Sequence, residues 1–159
     1  MSGGCNYTIF GAEGERESIL ERLREVAEGA LVFDADWILG REHIEVALYH
    51  ATRAHARKIH KVNTFENCVL LYVGLSDQIY EARERVGVKP GTRHFAFVLP
   101  EGIEKESVLR ELGLRENEEV LAFTEEKARK IFTKEELEAT PVSRWKLLVY
   151  ERIALLNIQ

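Results

Sequence analysis

The C-terminal segment from Trp145 to Leu156 most constrains how this chain folds. Its apolar side chains cover almost every direction of a helix, whereas a surface helix of a globular protein is apolar along one stripe. Such a helix must be buried on most of its sides. Two interpretations of its outer side stay open. Either the segment is a central core helix and is enclosed fully, or its outer side docks a partner, since an exposed apolar side of this kind marks interaction surfaces.

The rest of the chain has enough apolar residues to build a core around that helix. Its 159 residues are 45% apolar, with two Trp, seven Phe and five Tyr, which excludes wholesale disorder and favours a single domain over residues 1–159. No apolar run approaches the roughly 20 residues of a membrane helix. The N-terminus carries no secretory signal and the two cysteines match no metal or redox spacing. We therefore expect a reduced, cytoplasmic protein without a membrane segment.

Strand-like and helix-like segments mix without strict βαβ alternation, which predicts an α+β fold. We expect a small, mostly antiparallel or mixed sheet of about 4–5 short strands packed with about 6–7 helices. The segment Phe65–Val73 is ambiguous, because its composition favours a strand while Thr64 ahead of it favours a buried helix. The predicted strands are Tyr7–Phe10, Leu31–Phe33, His94–Leu99 and Glu119–Phe123; the predicted helices are Glu15–Glu28, Arg41–His60, a helix from Ser76 to Gly87, Glu104–Leu112, Glu125–Phe132 and Val142–Leu156.

The segment from Arg41 to Lys61 is basic inside a protein of net charge −5. No Asp or Glu occurs between Val46 and Phe65, and four of the five histidines lie in this segment. On a helix at about 100° per residue its side chains separate into an apolar side and a positive side. This pattern indicates a polyanion site, with an ordinary solvated face as the alternative. The apolar side holds Trp37, Ile44, Leu48, Ala51, His55, Ile59 and Val62; the positive side holds His43, His50, Arg53, Arg57, His60 and Lys61.

Other site chemistries find little support in the residues. The histidines are seven, five and five residues apart, so no pair lies one helical turn apart as a zinc site requires. Gly11–Gly14 is acidic and lacks the Lys-Ser/Thr of a phosphate loop, and no nucleophile or kinase signature occurs. Cys68 is expected to be buried. We therefore predict no catalytic residue, no metal and no cofactor.

An ordered set of short motifs resembles the kinase-binding regulatory subunit of the KEOPS/EKC complex, the TPRKB-type family. The set covers about half of the chain. It departs from the family at Gly74-Leu75-Ser76-Asp77, where Ser-Gly is expected before the Gln-Ile pair. The matching pieces are Asp34-Ala35-Asp36, Ala47, Ala54, Asn63, Leu70-Leu71-Tyr72, Gln78-Ile79, Ala82, Gly87-Val88-Lys89-Pro90-Gly91 and Glu151-Arg152-Ile153-Ala154-Leu155-Leu156.

The resemblance implies a non-catalytic subunit of the complex that makes threonylcarbamoyl-adenosine in tRNA. In that family the subunit binds and stimulates a small atypical kinase/ATPase and grips the CCA-bearing 3′ end of tRNA. It also implies that Phe65–Val73 is helical. The alternative is a protein-only scaffold whose basic helix binds an acidic partner. The implied RNA contacts are Arg53, Arg57, Lys58, Lys61, Asn63, Tyr72, Ser76, Gln78 and Arg83, with Tyr72 either stacking a base or lying in the core. The implied kinase-facing residues are Leu20, Trp145, Val149, Ile153 and Leu156.

Overall fold

The computed structural model describes residues 6–57 and 64–156. Within those ranges it has four strands in one antiparallel sheet and eight α-helices, which confirms the α+β prediction. Helix α3 confirms that Phe65–Val73 is helical. The elements are β1 (Tyr7–Glu13), α1 (Ile19–Val26), β2 (Leu31–Asp34), α2 (Arg41–Ala56), α3 (Phe65–Val73), α4 (Ile79–Val86), β3 (His94–Pro100), α5 (Lys105–Leu112), β4 (Arg115–Glu116), α6 (Glu125–Ile131), α7 (Lys134–Glu138) and α8 (Trp145–Leu155), with 3-10 helices at Ala35–Trp37, Glu118–Leu121 and Val142–Arg144.

The chain divides into two compact units, each made of two stretches of sequence. Unit 1 comprises Met1–Asp36 and Gly87–Leu121, and unit 2 comprises Trp37–Val86 and Ala122–Gln159. The sheet belongs to unit 1 and most of the helices belong to unit 2. The expectation of a single domain over residues 1–159 stays a prediction.

Unit 1 is built on the sheet, with strand order β2-β3-β1-β4. Alternate side chains of a strand point to the same face, so Phe10 of β1 and Phe97 of β3, which are register partners, share one side. Their rings stack with centroids 5.1 Å apart. Ile19 and Leu23 of α1 belong to the same buried cluster, as do Val108 and Leu112 of α5.

Unit 2 is a set of packed helices, in which α2 contacts α3 and α8, and α3 contacts α4. Helix α3 begins at Thr64, whose side chain accepts the N–H of Asn67 at 3.1 Å. This cap satisfies an amide that a strand would have paired elsewhere, and with five buried side chains on α3 it outweighs the β propensity of the segment. Helices α3 and α4 approach closely at Gly74, where an added Cβ would lie 2.6 Å from that of Ala82.

The predicted strand Glu119–Phe123 is wrong, because a 3-10 helix spans Glu118–Leu121. Asn117 explains the difference. Its backbone N–H donates to the carbonyl of Gly11 at 2.9 Å, while its side-chain oxygen accepts the N–H of Glu119 at 3.0 Å. This side-chain bond offers the backbone a turn in place of a continued ladder.

Candidate functional site

The exposed face of α2 changes character along the helix. Glu42 and Glu45 are exposed near its start, and Arg53 and Arg57 are exposed at its end. Tyr49, with 58% of its surface exposed, lies between them. Basic side chains at a helix C-terminus also complement the helix dipole, so this arrangement is stable without a ligand. The positive region is therefore the C-terminal half of α2.

The two arginines at the end of α2 are without a carboxylate partner among the residues the structure describes. Arg53 instead places its guanidinium 5.4 Å from the ring centroid of Tyr49. Elsewhere in unit 2 an exposed arginine such as Arg129 pairs with Glu125 at 3.0 Å. An unpaired guanidinium can bind a phosphate without first giving up an ion pair.

The net charge is distributed unevenly between the two units. Unit 1 has eight Lys or Arg against fifteen Asp or Glu, a net charge of −7, while unit 2 has fourteen against twelve, a net charge of +2. The whole chain therefore carries −5. A polyanion is repelled by unit 1 and weakly attracted by unit 2.

Tyr72 lies in the core and has only 6% of its surface exposed. Burial raises the pKa of its hydroxyl. Its ring contacts that of His50 at 5.7 Å, and His50 in turn lies nearly perpendicular to Tyr49 at 5.4 Å. A buried ring offers no free face to a nucleobase, so the core alternative for Tyr72 holds and Tyr49 is the exposed end of this aromatic series.

Two histidines of α2 lie opposite to where the helical projection put them. His43, predicted on the positive side, is fully buried, whereas His55, predicted on the apolar side, is exposed. Nδ1 of His43 accepts the N–H of Leu39 at 3.0 Å, so Nε2 carries the proton and donates to the carbonyl of Val73 at 2.8 Å. Burial, with a smaller contribution from the charge of Lys127, lowers the pKa of His43 to about 4. His43 is therefore a neutral structural residue.

The turn between α3 and α4 holds two of the predicted RNA contacts. Ser76 is buried, and its hydroxyl accepts the backbone N–H of Gln78 at 3.0 Å. Gln78 is exposed. Leu75 has a left-handed φ of 55°, at the place where the motif departs from the family, and Arg85 donates to its carbonyl at 3.1 Å. Arg85 thereby fixes a turn that would otherwise favour glycine.

The remaining predicted RNA contacts divide into two groups. Arg83 is exposed on α4 and belongs to unit 2, as do Arg53, Arg57 and Gln78. Lys58, Lys61 and Asn63 lie outside the described residues.

The residues predicted to face the kinase lie at different depths. Trp145, Val149 and Ile153 of α8 are buried in the chain itself, and the indole N–H of Trp145 donates to the carbonyl of Thr140 at 3.0 Å. These three side chains hold α8 in place rather than offer a free surface. Leu156 is half-buried, and Leu20 on α1 is 44% exposed.

Helix α8 does expose apolar side chains that the sequence analysis did not single out. Leu147 is 55% exposed and Leu155 is 75% exposed. The burial of Trp145 and Val149 defines the inner side of the helix, so the sequence spacing from those two residues is the signal that identifies Leu147 as outward-facing.

Other kinds of site find no support in residues 6–57 and 64–156. They contain no group of three or more His, Cys, Asp or Glu that could hold a metal ion, and no helix in these ranges is long and apolar enough to cross a membrane. A surface concavity of ≈ 680 Å³ in unit 1 lies between the start of α1 and the turn Val88–Arg93. It contains no histidine or cysteine, and Arg93 in it is paired with Glu15 at 2.7 Å.

The sequence model of a family described as kinase binding protein CGI-121 matches residues 12–156, which is most of the chain. A comparison with curated proteins found no similar sequence.

Proposed function

The chain belongs to the kinase binding protein CGI-121 family, and from this premise we propose that it is a non-catalytic subunit of a KEOPS-like complex that makes threonylcarbamoyl-adenosine in tRNA. In this role it binds and activates a small atypical kinase/ATPase and holds the CCA-bearing 3′ end of the tRNA. The family match over residues 12–156 is the observation that carries the kinase part of the proposal.

The exposed C-terminal half of α2 supports the tRNA part. Arg53 and Arg57 are exposed cations without a carboxylate partner in the described part of the chain. They lie in the unit that carries +2, whereas the other unit carries −7. Single-stranded RNA needs cations for phosphates, together with amides and ring faces for bases, and Gln78, Arg83 and Tyr49 are exposed in the same unit.

The outer side of α8 supports the kinase part. Leu147 and Leu155 are exposed large apolar side chains on a helix whose other side is buried. Exposed apolar side chains cost free energy in water and gain it at an interface. We therefore propose Leu147 and Leu155 as the α8 residues that contact the kinase, with Trp145, Val149 and Ile153 supporting them from within. Leu20, exposed on α1, is proposed as a further contact.

A mobility shift with tRNA tests the RNA role. The unaltered chain should shift tRNA at physiological salt, and replacing Arg57, Lys58 and Lys61 by Glu should weaken binding and lower the salt slope by about one for each lost phosphate contact. A triple variant with unchanged binding refutes this assignment. A chain that shifts no tRNA favours a protein scaffold with an acidic partner.

Co-purification from the native host tests the kinase role. Tagged chain should recover a small kinase, and the variant Leu147→Glu/Leu155→Glu should not, because charges would be buried at the interface. Tyr80→Glu is the matched control, since Tyr80 is 75% exposed on α4. Equal recovery of the kinase by both variants contradicts the α8 assignment.

A further inference from the structure

We propose that Tyr49 is the residue of this chain that stacks on a nucleobase, and that Tyr49, Arg53 and Arg57 together hold unpaired nucleotides at the tRNA 3′ end. These three residues are called the α2 ladder below. The inference rests on the proposed function, because it assigns the RNA contact to particular side chains. Successive members are four residues apart, so they lie on one face of the helix at intervals of about 6 Å along its axis.

The ring of Tyr49 is exposed and is also held by its neighbours. It has 58% of its surface exposed, while the His50 ring lies against it at 87° and Arg53 lies 5.4 Å from its centroid. Behind His50 the series continues to buried Tyr72. A ring that is already ordered loses little conformational freedom when a base stacks on it.

The ladder combines the two kinds of group that a single strand requires. Proteins that bind single strands place aromatic rings or guanidinium planes against the bases and cations against the phosphates. Tyr49 supplies the ring, and Arg53 and Arg57 supply guanidiniums that no carboxylate pairs with in the described ranges. The sequence between Val46 and Phe65 contains no acid that would repel the phosphates.

The other strongly exposed tyrosine lacks this setting. Tyr80 is 75% exposed on α4, but Glu84 is exposed one turn after it, at the spacing where Tyr49 has Arg53, and Glu81 beside it is paired with Arg85 at 3.6 Å. An exposed tyrosine also suits a protein interface. Glu45 is exposed one helical turn before Tyr49, so the charge argument rests on Arg53 and Arg57, one and two turns after it, which have no carboxylate partner in the described ranges. Tyr80 provides a matched control.

The test measures the affinity of labelled tRNA ending in CCA, and of the same tRNA lacking CCA, for four forms of the chain. These are the unaltered chain, Tyr49→Ala, Tyr49→Phe and Tyr80→Ala. Tyr49→Ala should weaken binding of the CCA-ended tRNA by about 5- to 150-fold, the effect of one lost base stack. Tyr49→Ala should change the binding of the tRNA without CCA little. Removing CCA and removing the Tyr49 ring would then delete the same interaction, so their effects in a double-mutant cycle are not additive.

Three further readouts separate stacking from other roles. Tyr49→Phe should retain the affinity, since it keeps the ring, and Tyr80→Ala should bind as the unaltered chain does. Tyr49→Ala should leave the salt slope of binding unchanged, whereas Arg53→Ala should lower it by about 0.7, the value for one phosphate contact on a single strand. Circular dichroism at the binding temperature verifies that each variant is folded.

Several results would overturn the inference. If Tyr49→Ala binds CCA-ended tRNA as tightly as the unaltered chain, Tyr49 does not stack, while the proposed function stands. If Tyr49→Ala loses kinase recovery but keeps tRNA affinity, Tyr49 belongs to a protein interface. If the unaltered chain binds no tRNA, the proposed function itself fails, and the inference fails with it.

Discussion

Unit 1 and unit 2 differ in how they hold their cations. In unit 1, Arg22, Arg93, Lys105 and Arg115 each form an ion pair with a glutamate, and the unit as a whole carries −7. In unit 2, Arg53 and Arg57 extend from α2 with no acid partner among the described residues. Cations in ion pairs are largely neutralised. Unit 1 also exposes arginines without an ion pair in the described ranges, such as Arg24 and Arg110, but its net charge of −7 repels a polyanion, whereas unit 2 carries +2.

The two units also differ in how they hold a histidine. His94 of unit 1 is exposed and pairs through Nδ1 with Asp36 at 2.9 Å. His43 of unit 2 is buried and bonds two backbone groups, at Leu39 and Val73. One histidine forms an ion pair at the surface and the other bonds backbone groups in the core. The residue type alone therefore does not reveal the role of a histidine.

Replacing His43 should have the largest effect on stability. In His43→Leu the N–H of Leu39 and the carbonyl of Val73 both lose their partner while buried, which costs about 1–3 kcal/mol for each group, or about 2–6 kcal/mol in total. In His94→Leu an exposed pair is lost, at a cost of about 1 kcal/mol or less. Urea unfolding of both variants measures the difference. Equal losses would abolish the distinction between the two histidines.

Low pH should lower the free energy of unfolding through His43. The pKa of His43 is about 4 in the folded chain and 6.5 without the fold, so between these values the unfolded chain binds a proton that the folded chain does not. The free energy of unfolding contributed by His43 is fully present above pH 6.5 and falls by about 3 kcal/mol toward pH 4. Urea unfolding across this range should show a shallower pH dependence in His43→Leu than in His94→Leu. The same dependence in both would contradict the assignment.

Residues whose partners lie close in sequence were predicted well, and residues whose environment is set by packing were not. Gly113 ends α5 in the left-handed conformation, directly after the predicted helix end at Leu112. The projection of α2 placed His55 with Ala51 because it gives angles only; His55 lies in the last turn and is exposed there, whereas His43 lies deep in the packing. Which turns of a helix are covered depends on α3 and α8, which the local pattern does not reveal.

The residues of the proposed RNA contact were identified only in part from the sequence, for the same reason. The basic character of Arg53 and Arg57 follows from the sequence, and both are exposed. The sequence analysis considered Tyr72, and not Tyr49, as the ring that stacks on a base. The burial of Tyr72 depends on the contact between α2 and α3, which the sequence pattern does not reveal. Helix α7 was also missed, although the capping box of Thr133 and Glu136 is a recognisable start signal.

Removing two arginines from each unit should sharpen the comparison of their cations. Arg53→Ala/Arg57→Ala should weaken tRNA binding roughly tenfold per lost phosphate contact at 0.1 M salt, or about 100-fold together. The matched control is Arg24→Ala/Arg110→Ala in unit 1, where both arginines are exposed without an ion pair in the described ranges. This control removes the same net charge. Equal weakening by both would mean that only net charge matters.

Replacing acids of unit 1 by lysine should have a smaller effect on the affinity for tRNA. Glu17, Glu28 and Glu101 are exposed and form no ion pair within the described part of the chain. Replacing them by Lys should raise the affinity for any polyanion a few-fold at low salt and almost not at all above about 0.15 M, because salt screens charges that are not in contact. Heparin and tRNA titrations at two salt concentrations measure this. A gain that persists at high salt would indicate a direct contact with unit 1.

The affinity of the unaltered chain for tRNA with and without the terminal CCA, at physiological salt, tests the proposed function most directly. Removing CCA should weaken binding at least about fivefold, the loss expected for one unstacked base. The remaining binding should weaken about 100-fold in Arg53→Ala/Arg57→Ala. Equal affinity for the two tRNAs would contradict the proposed grip on the 3′ end.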